Sequence, residues 1–205
     1  MASFTSLLND IYKLTKRSDL VEDTKLALQG ATLRVHGRDF YTPDHYETGV
    51  VFTSENTLQQ LDHTVVIPRF RQIDYIRKSD ANSTLGSFFN FLTPGQSVNR
   101  YNINKENIAY LSGSVINLRS STSFQYAIVG CWRYPDVTEA TYSSWIADTF
   151  PYIIHLEAAR EIAASVGDVE AANMFYQLLH GNPKVNDDRG YYAMLDPYIQ
   201  TRAAI

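Results

Sequence analysis

The sequence predicts an α+β protein, in which N- and C-terminal helices form one bundle around a central β-rich insertion and an extended C-terminal tail follows. Three observations predict it. Apolar residues recur at helical spacing over residues 3–41 and 145–180. From residue 46 to 129, short runs rich in Val, Ile, Tyr and Phe alternate with Gly, Pro, Asn and Ser. The stretch from Asn182 to Gly190 holds no helix, yet an apolar run follows it. The expected division is a bundle from 1–44 and 143–181, a β-rich domain over 45–142 with a long loop at 78–107, and a docking tail over 182–205.

The first helix is expected over 3–17. Ser3 is its N-cap, Leu7, Leu8, Ile11, Tyr12 and Leu14 form its apolar face, and Lys13, Lys16 and Arg17 complement the dipole at its end. A second helix over 20–41 starts from Ser18 or Asp19 and carries the stripe Leu20, Lys25, Leu28, Ala31 and Val35. Gly30 either weakens it by roughly 1 kcal/mol or marks a close helix–helix approach. Thr42, Pro43 and Asp44 end the helical part.

Short β-runs are expected at Tyr46 and Val50–Phe52, at Thr64–Ile67, and at Ile73, Tyr75 and Ile76. Residues 78–107 read as a polar loop, including Thr93 to Gly95, interrupted by Phe88, Phe89, Phe91 and Leu92. Val115–Leu118 and Phe124–Val129 read as the arms of a hairpin that turns through the Ser, Thr and Arg residues between them. Trp132 to Pro135 ends the second arm, because proline cannot donate to a ladder. Two helices close the pattern, over 145–166 and 168–180. Ile153, Leu156, Ala159, Ala163 and Val166 stripe the first, Gly167 is its C′ residue, and Asp168 caps the second. Ala171, Met174, Phe175, Leu178 and Leu179 continue the stripe.

A 205-residue chain with 44% hydrophobic and 20% charged residues is globular and long enough for a substantial core. Its 14 tyrosines suit either wet protein interfaces or a plain β-sheet. A net charge of −4 argues against nucleic-acid binding as the main activity, although Arg69-Phe70-Arg71 and Arg77-Lys78 interleave bases with aromatics. The single Cys131 excludes an intrachain disulfide and reads as a small buried apolar residue. No run is long enough to span a membrane, and the first ten residues lack the pattern of a signal peptide. Assembly in a reducing cytoplasm is the expectation.

Catalytic and metal signatures are absent from the motif pattern. The five histidines form no His-Glu-x-x-His pair, and His155 and Glu157 fall on different helix faces. His155 reads as a core-edge histidine. Glu157 and Glu161, with Arg160 beside them, read as a solvated or inter-subunit ion-pair network. No phosphate loop, dinucleotide fingerprint or Gly-x-Ser-x-Gly elbow occurs, so neither cofactor nor metal is expected. Asp39, Asp44 and Glu47, close to Arg38, keep open the alternative of a two-carboxylate glycoside hydrolase acting on cell wall.

The ordered pieces Gly113, Val115–Leu118, Trp132–Pro135, Pro151–Val166 and Gly167-Asp168, preceded by a helical N-terminus and the Pro68–Gln72 segment, resemble the head–tail adaptor (connector) family of tailed bacteriophages. The resemblance covers most of residues 3–180. It implies a structural, non-enzymatic ring of about a dozen copies beneath the portal, joining capsid to tail in the virion. Its implied partners are the portal protein, neighbouring adaptor subunits and a tail nozzle or hub protein, with DNA passing through without sequence-specific binding. An acidic lumen would repel phosphates. A stopper or tail-completion protein is the structural alternative. The residues Tyr191, Tyr192, Met194, Leu195, Tyr198 and Ile199 are the expected portal or inter-subunit anchors, on a tail that orders on docking; the alternative is that this segment folds back over its own helices.

Overall fold

The computed structural model describes residues 2–82, 84–92, 107–182 and 189–200. It shows a mixed α/β protein with helices and a six-stranded sheet. The chain divides into two compact units, Met1–Asp44 with Tyr134–Ile205, and His45–Arg133.

The first unit is helical. Helix α1 spans Phe4–Thr15 and opens with a capping box, in which Ser3 and Ser6 each accept the other's backbone N–H. It ends at Lys16, whose positive φ and N–H bond to the Tyr12 carbonyl stop the helix short of the expected residue 17. Helix α2 spans Val21–Gly37 and buries Thr24, Ala27, Leu28, Ala31, Thr32, Val35 and His36. It too is shorter than expected; Phe40 and Tyr41 leave the helix, and Tyr41 forms a bridge with Ile199. A Cβ on Gly30 would meet the Arg34 guanidinium at 3.1 Å and Glu161 at 3.8 Å, so the close-approach reading of that glycine describes its surroundings.

The expected helix 145–166 is two helices, α4 (Trp145–Thr149) and α5 (Pro151–Ser165). Proline excludes the preceding residue from the helical region, and Phe150 accordingly sits at φ −132°, ψ 57°. Pro151 then starts α5, where its missing N–H is harmless. The exit from α5 matches the Gly-Asp signal. Asp168 N–H reaches the Ala163 carbonyl at 2.9 Å, and Gly167 N–H, at φ +80°, reaches Ala164 at 3.2 Å. Asp168 then accepts from Ala171 N–H to cap α6, Val169–His180. One apolar core joins Phe4, Leu7, Leu8 and Ile11 of α1, Leu28 and Val35 of α2, Ile153, Leu156 and Ile162 of α5, and Phe175 and Leu179 of α6.

The second unit is built on one strand. Val115–Leu118 and Phe124–Val129 are not hairpin arms; they belong to a continuous 19-residue strand, β6, Val115–Arg133. The intervening Ser and Thr residues form an irregularity rather than a turn. The Ser120 hydroxyl donates to the Thr122 carbonyl at 2.7 Å and accepts its N–H at 3.1 Å, satisfying the displaced backbone locally. The true hairpin turn lies earlier, at Gly113 (φ +62°), between β5 (Ile108–Ser112) and β6.

Strand β1 (His45–Asp62) runs antiparallel along one side of β6, also irregular at its middle, between Val51 and Leu58. On the other side β2 (Phe70–Ser79) pairs with residues 126–133 of β6 and β5 pairs with residues 115–119. Strand β3 (Leu85–Phe88) extends the sheet from β2, and β4 (Asn90–Phe91) pairs parallel with β5. The expected loop 78–107 therefore begins as sheet, because Phe88 and Phe89 have strands to pack against; Thr93 to Gly95 lie outside the described residues. Thr64–Ile67 is likewise not a strand. Asp62 accepts from Thr64 N–H and caps a single helical turn, α3, His63–Val66.

Cys131 is fully buried and burial pushes its thiol up to about 11, as expected of an inert core cysteine. Beside it, the ring of Tyr75 lies against Gly130, leaving no room for a side chain there. Gly130→Ala should cost about 1–3 kcal/mol by overpacking, measured by urea denaturation. An unchanged midpoint would mean that Tyr75 is free to move aside.

Candidate interaction surface

The residues expected to anchor a partner do not hang free. Residues 191–198 form a 3₁₀ segment that folds back on the helical unit, which corrects the expectation of an extended tail. Gly190 (φ +62°) turns the chain back so closely that a side chain there would collide with the backbone of Leu179 and Gly181. The segment is too apolar to remain in water, and its own helices supply the missing core. Tyr192 and Leu195 are buried there, Tyr198 and Ile199 pack against it, and Gln200 N–H reaches the Phe40 carbonyl at 2.8 Å. Positions 183–188 and 201–205 of the expected tail lie outside the described residues.

A charged cluster holds the segment. Glu157, 4% exposed, takes Arg34 at 3.0 Å and Arg160 at 2.7 Å, and Arg34 reaches on to Glu161. This is an intrachain network centred on a buried carboxylate, with Arg34, Arg160 and Glu161 still partly in water, rather than the fully solvated or inter-subunit one expected, since α2 brings Arg34 onto the same face of α5. Burial pushes the Glu157 carboxyl up, but the hydrogen bonds and charges of Arg160 and Arg34 outweigh it and hold it below the ordinary range. The Tyr192 hydroxyl donates to Glu157 at 3.2 Å; burial first, and the Glu157 charge second, push that phenol well above its usual value. Arg38 lies over the Tyr192 ring at 3.9 Å, and the His180 ring packs beside it at 4.9 Å.

Of the expected anchors, Tyr191 and Met194 remain exposed. Tyr191 stacks on Tyr152 of α5, itself 64% exposed, with ring centroids 6.3 Å apart. A groove of about 550 Å³ lies to one side, lined by Met174, Gln177, Leu178, Asn182, Arg189, Gly190 and Tyr191. On the other side of Tyr152 a groove of about 540 Å³ runs between α1 and α5, past Leu14, Asp10, Lys13, Asp148 and His155. Leu14, Tyr152, Tyr191, Met174 and Leu178 thus leave apolar side chains on the surface beside both grooves.

His155 is buried at the floor of the second groove, its Nε2 without a hydrogen-bond partner and 4.0 Å from Asp10. Burial lowers its pKa; the Asp10 charge opposes this and Lys13 adds to it.

A further constellation escaped the sequence reading because its members lie far apart in the chain. His36 Nδ1 contacts both oxygens of Asp44 at 2.8–2.9 Å, and its Nε2 contacts the Ser144 hydroxyl at 2.9 Å. The order is that of a serine-hydrolase triad. Its setting differs, because Ser144 is buried, caps α4 by accepting from Ala147 N–H, and Asp44 also accepts from Trp145 Nε1–H. The trio ties α2, the Thr42–Asp44 turn and α4 together. Of the carboxylates considered for glycoside hydrolysis, Asp44 is therefore held internally, and Glu47 accepts from the Tyr75 hydroxyl. Among the described residues no three of His, Cys, Asp and Glu gather as a metal ligand set, and no helix is long and apolar enough to cross a membrane. No protein-family model and no curated protein matches the chain.

Two outcomes follow for this unit. Tyr192→Phe should lose about 1.5–3 kcal/mol, one hydrogen bond to a charged acceptor, while keeping the stack against Arg38. A loss above about 3 kcal/mol in chemical denaturation would contradict that assignment. Acidification should also destabilise the fold. With His155 lowered in the folded state, the unfolded chain binds the extra proton, so its contribution is complete above about 6.5 and is lost as pH falls towards the folded value. His155→Gln should flatten the melting-temperature decline between about pH 7 and 5; an unchanged slope would assign the decline elsewhere.

Proposed function

We propose that the chain is a head–tail adaptor of a tailed bacteriophage: a non-enzymatic ring component, assembled in the host cytoplasm, that sits beneath the portal in the virion and joins capsid to tail. In this reading the helices from both chain ends act as one bundle into which the β-rich part is inserted. The observation that carries the proposal is the outward apolar surface formed by Tyr152, Tyr191, Met174 and Leu178 on the helical unit, beside the Gly167-Asp168 helical hairpin on which the family resemblance rests. Such a surface is suited to burial against another protein. The portal is the partner assigned to it, and neighbouring adaptor copies, about twelve by the resemblance, complete the ring with a tail nozzle or hub below. The net negative charge fits a channel through which DNA passes without adhering.

The role of the C-terminal segment changes with its folding. Tyr192, Leu195, Tyr198 and Ile199 serve the internal core, and Tyr191 and Met194 remain as interface candidates. Truncation after Gly181 should therefore lower the melting temperature, because it removes buried Tyr192 and Leu195. Tyr191→Ser with Met194→Ser should leave melting nearly unchanged and weaken portal binding at least tenfold.

Size exclusion with light scattering, with and without portal particles of the same phage, tests the proposal. The free chain should run as a monomer or weak oligomer and join the portal as a ring. No association with portal, or clearing of a cell-wall zymogram, would overturn it.

A further inference from the structure

Resting on the ring reading, we infer that β1 of one copy pairs antiparallel with β3 of the next, with Phe88 of the neighbour seated over Gly49. Across the half of the sheet containing Gly130 the strand order is β3-β2-β6-β1, so β1 and β3 are its two edges among the described residues. Both are open in composition. Strand β1 has no Lys and no Pro, the usual edge protections, and β3 carries Leu85 and Phe88 more than half exposed.

Among the described residues nothing requires position 49 to be glycine. It lies inside a strand, it does not adopt a positive φ, and a Cβ there would meet nothing within 4 Å. Glycine in a strand interior weakens it and often marks where another group comes close. The same sheet already shows the device. Gly130 is covered by the Tyr75 ring, and Gly130 and Tyr75 are register partners on one face. Gly49 pairs with Ile128 two residues along β6, so it opens on that same face, next to Val51, 65% exposed. Phe88 is the aromatic that the opposite edge offers on this face. It pairs with Arg77, whose guanidinium lies 4.4 Å from its ring, and meets Tyr75 edge-on, yet remains 54% exposed.

Direction and charge agree with a head-to-tail contact. β1 and β2 both run antiparallel to β6, and β3 runs antiparallel to β2, so β3 is antiparallel to β1. Rotation about an axis along the strands preserves that relation, so each copy offers its neighbour the favoured antiparallel pairing. β1 carries Glu47, Glu55 and Asp62 without a Lys or Arg, whereas β2, reaching the other edge through Arg77, carries Arg71, Arg77 and Lys78 against Asp74.

The test is a disulfide between copies. The full chain with Gly49→Cys and Phe88→Cys is oxidised within rings purified on portal particles, and separately as a concentrated solution; native Cys131 is buried and does not interfere. A non-reducing ladder of dimer, trimer and higher species from the ring is the expected result, absent from either single variant. A ring that forms but yields no covalent species, or dimers alone, overturns the edge contact and leaves the adaptor reading intact. If no ring forms on portal, the adaptor reading fails, and oxidation of the concentrated solution, which traps even brief encounters, decides the edge contact: covalent dimers that need both cysteines support it, and their absence overturns it.

Discussion

The second unit depends on β6 remaining one strand. It pairs with β1 along its length on one side and with β2 and β5 in succession on the other, so the small strands β3 and β4 have a sheet to join only through it. Nineteen residues is long for a strand. The stretch around Ser120–Ser123 interrupts the ladder, which bends the strand and lets it continue along β1. There β6 has four residues between Arg119 and Phe124, opposite a single residue of β1, and the next interval reverses the excess on β1. The resulting backbone groups are satisfied within the sheet: Gln59 donates to the Ser54 and Phe124 carbonyls, Gln125 donates to Phe52, and Asn56 accepts from Thr57. Polar residues in mid-strand are thus part of how the strand stays continuous.

The helical unit solves a different problem, which is to fix distant segments against one another without a disulfide. Its core holds the helices together, but apolar contacts alone tolerate sliding. The Glu157 and His36 clusters remove that freedom, because each joins three separate segments through directional bonds that fail together if one shifts. Arg34 and Arg160 keep part of their surface in water, which lessens the desolvation that makes a fully buried ion pair expensive. The registry such clusters impose suits a unit that presents a defined apolar surface.

Local chemistry was legible in the sequence at several positions where one or two residues decide it. The Ser3 cap, the stop at Gly167, the cap at Asp168 and the buried Cys131 all read correctly, because each depends on near neighbours. Most of what failed depended on distant partners, the Asp62 cap and the break at Pro151 being the local exceptions. A Ser/Thr-rich stretch reads as a turn until β1 is known to run beside it. Thr64–Ile67 has β-branched residues in a strand-like run, yet the Asp62 cap wins over that propensity. The apolar residues at 191–199 carried the right burial signal with the wrong destination, since hydrophobicity says that a segment is covered and not by what. The His36–Asp44–Ser144 trio left no local trace, because 108 residues separate its ends.

Contact strength bears on how a ring of such subunits would assemble. β3 has four residues, so pairing with a neighbouring β1 adds only a few hydrogen bonds, each about 1 kcal/mol net, and one aromatic contact of about 1 kcal/mol. Bringing two free proteins together costs on the order of 4–15 kcal/mol in lost motion. The edge contact alone therefore cannot hold free subunits together. Docking each helical unit on a common template changes the balance, because neighbours then meet at millimolar effective concentration and the association entropy is already lost. Each new subunit gains the same weak contact on one edge, and the last closes the circle with two at once. A short, open edge strand then has a physical rationale: strong enough to align neighbours on a template, and too weak to polymerise them without one.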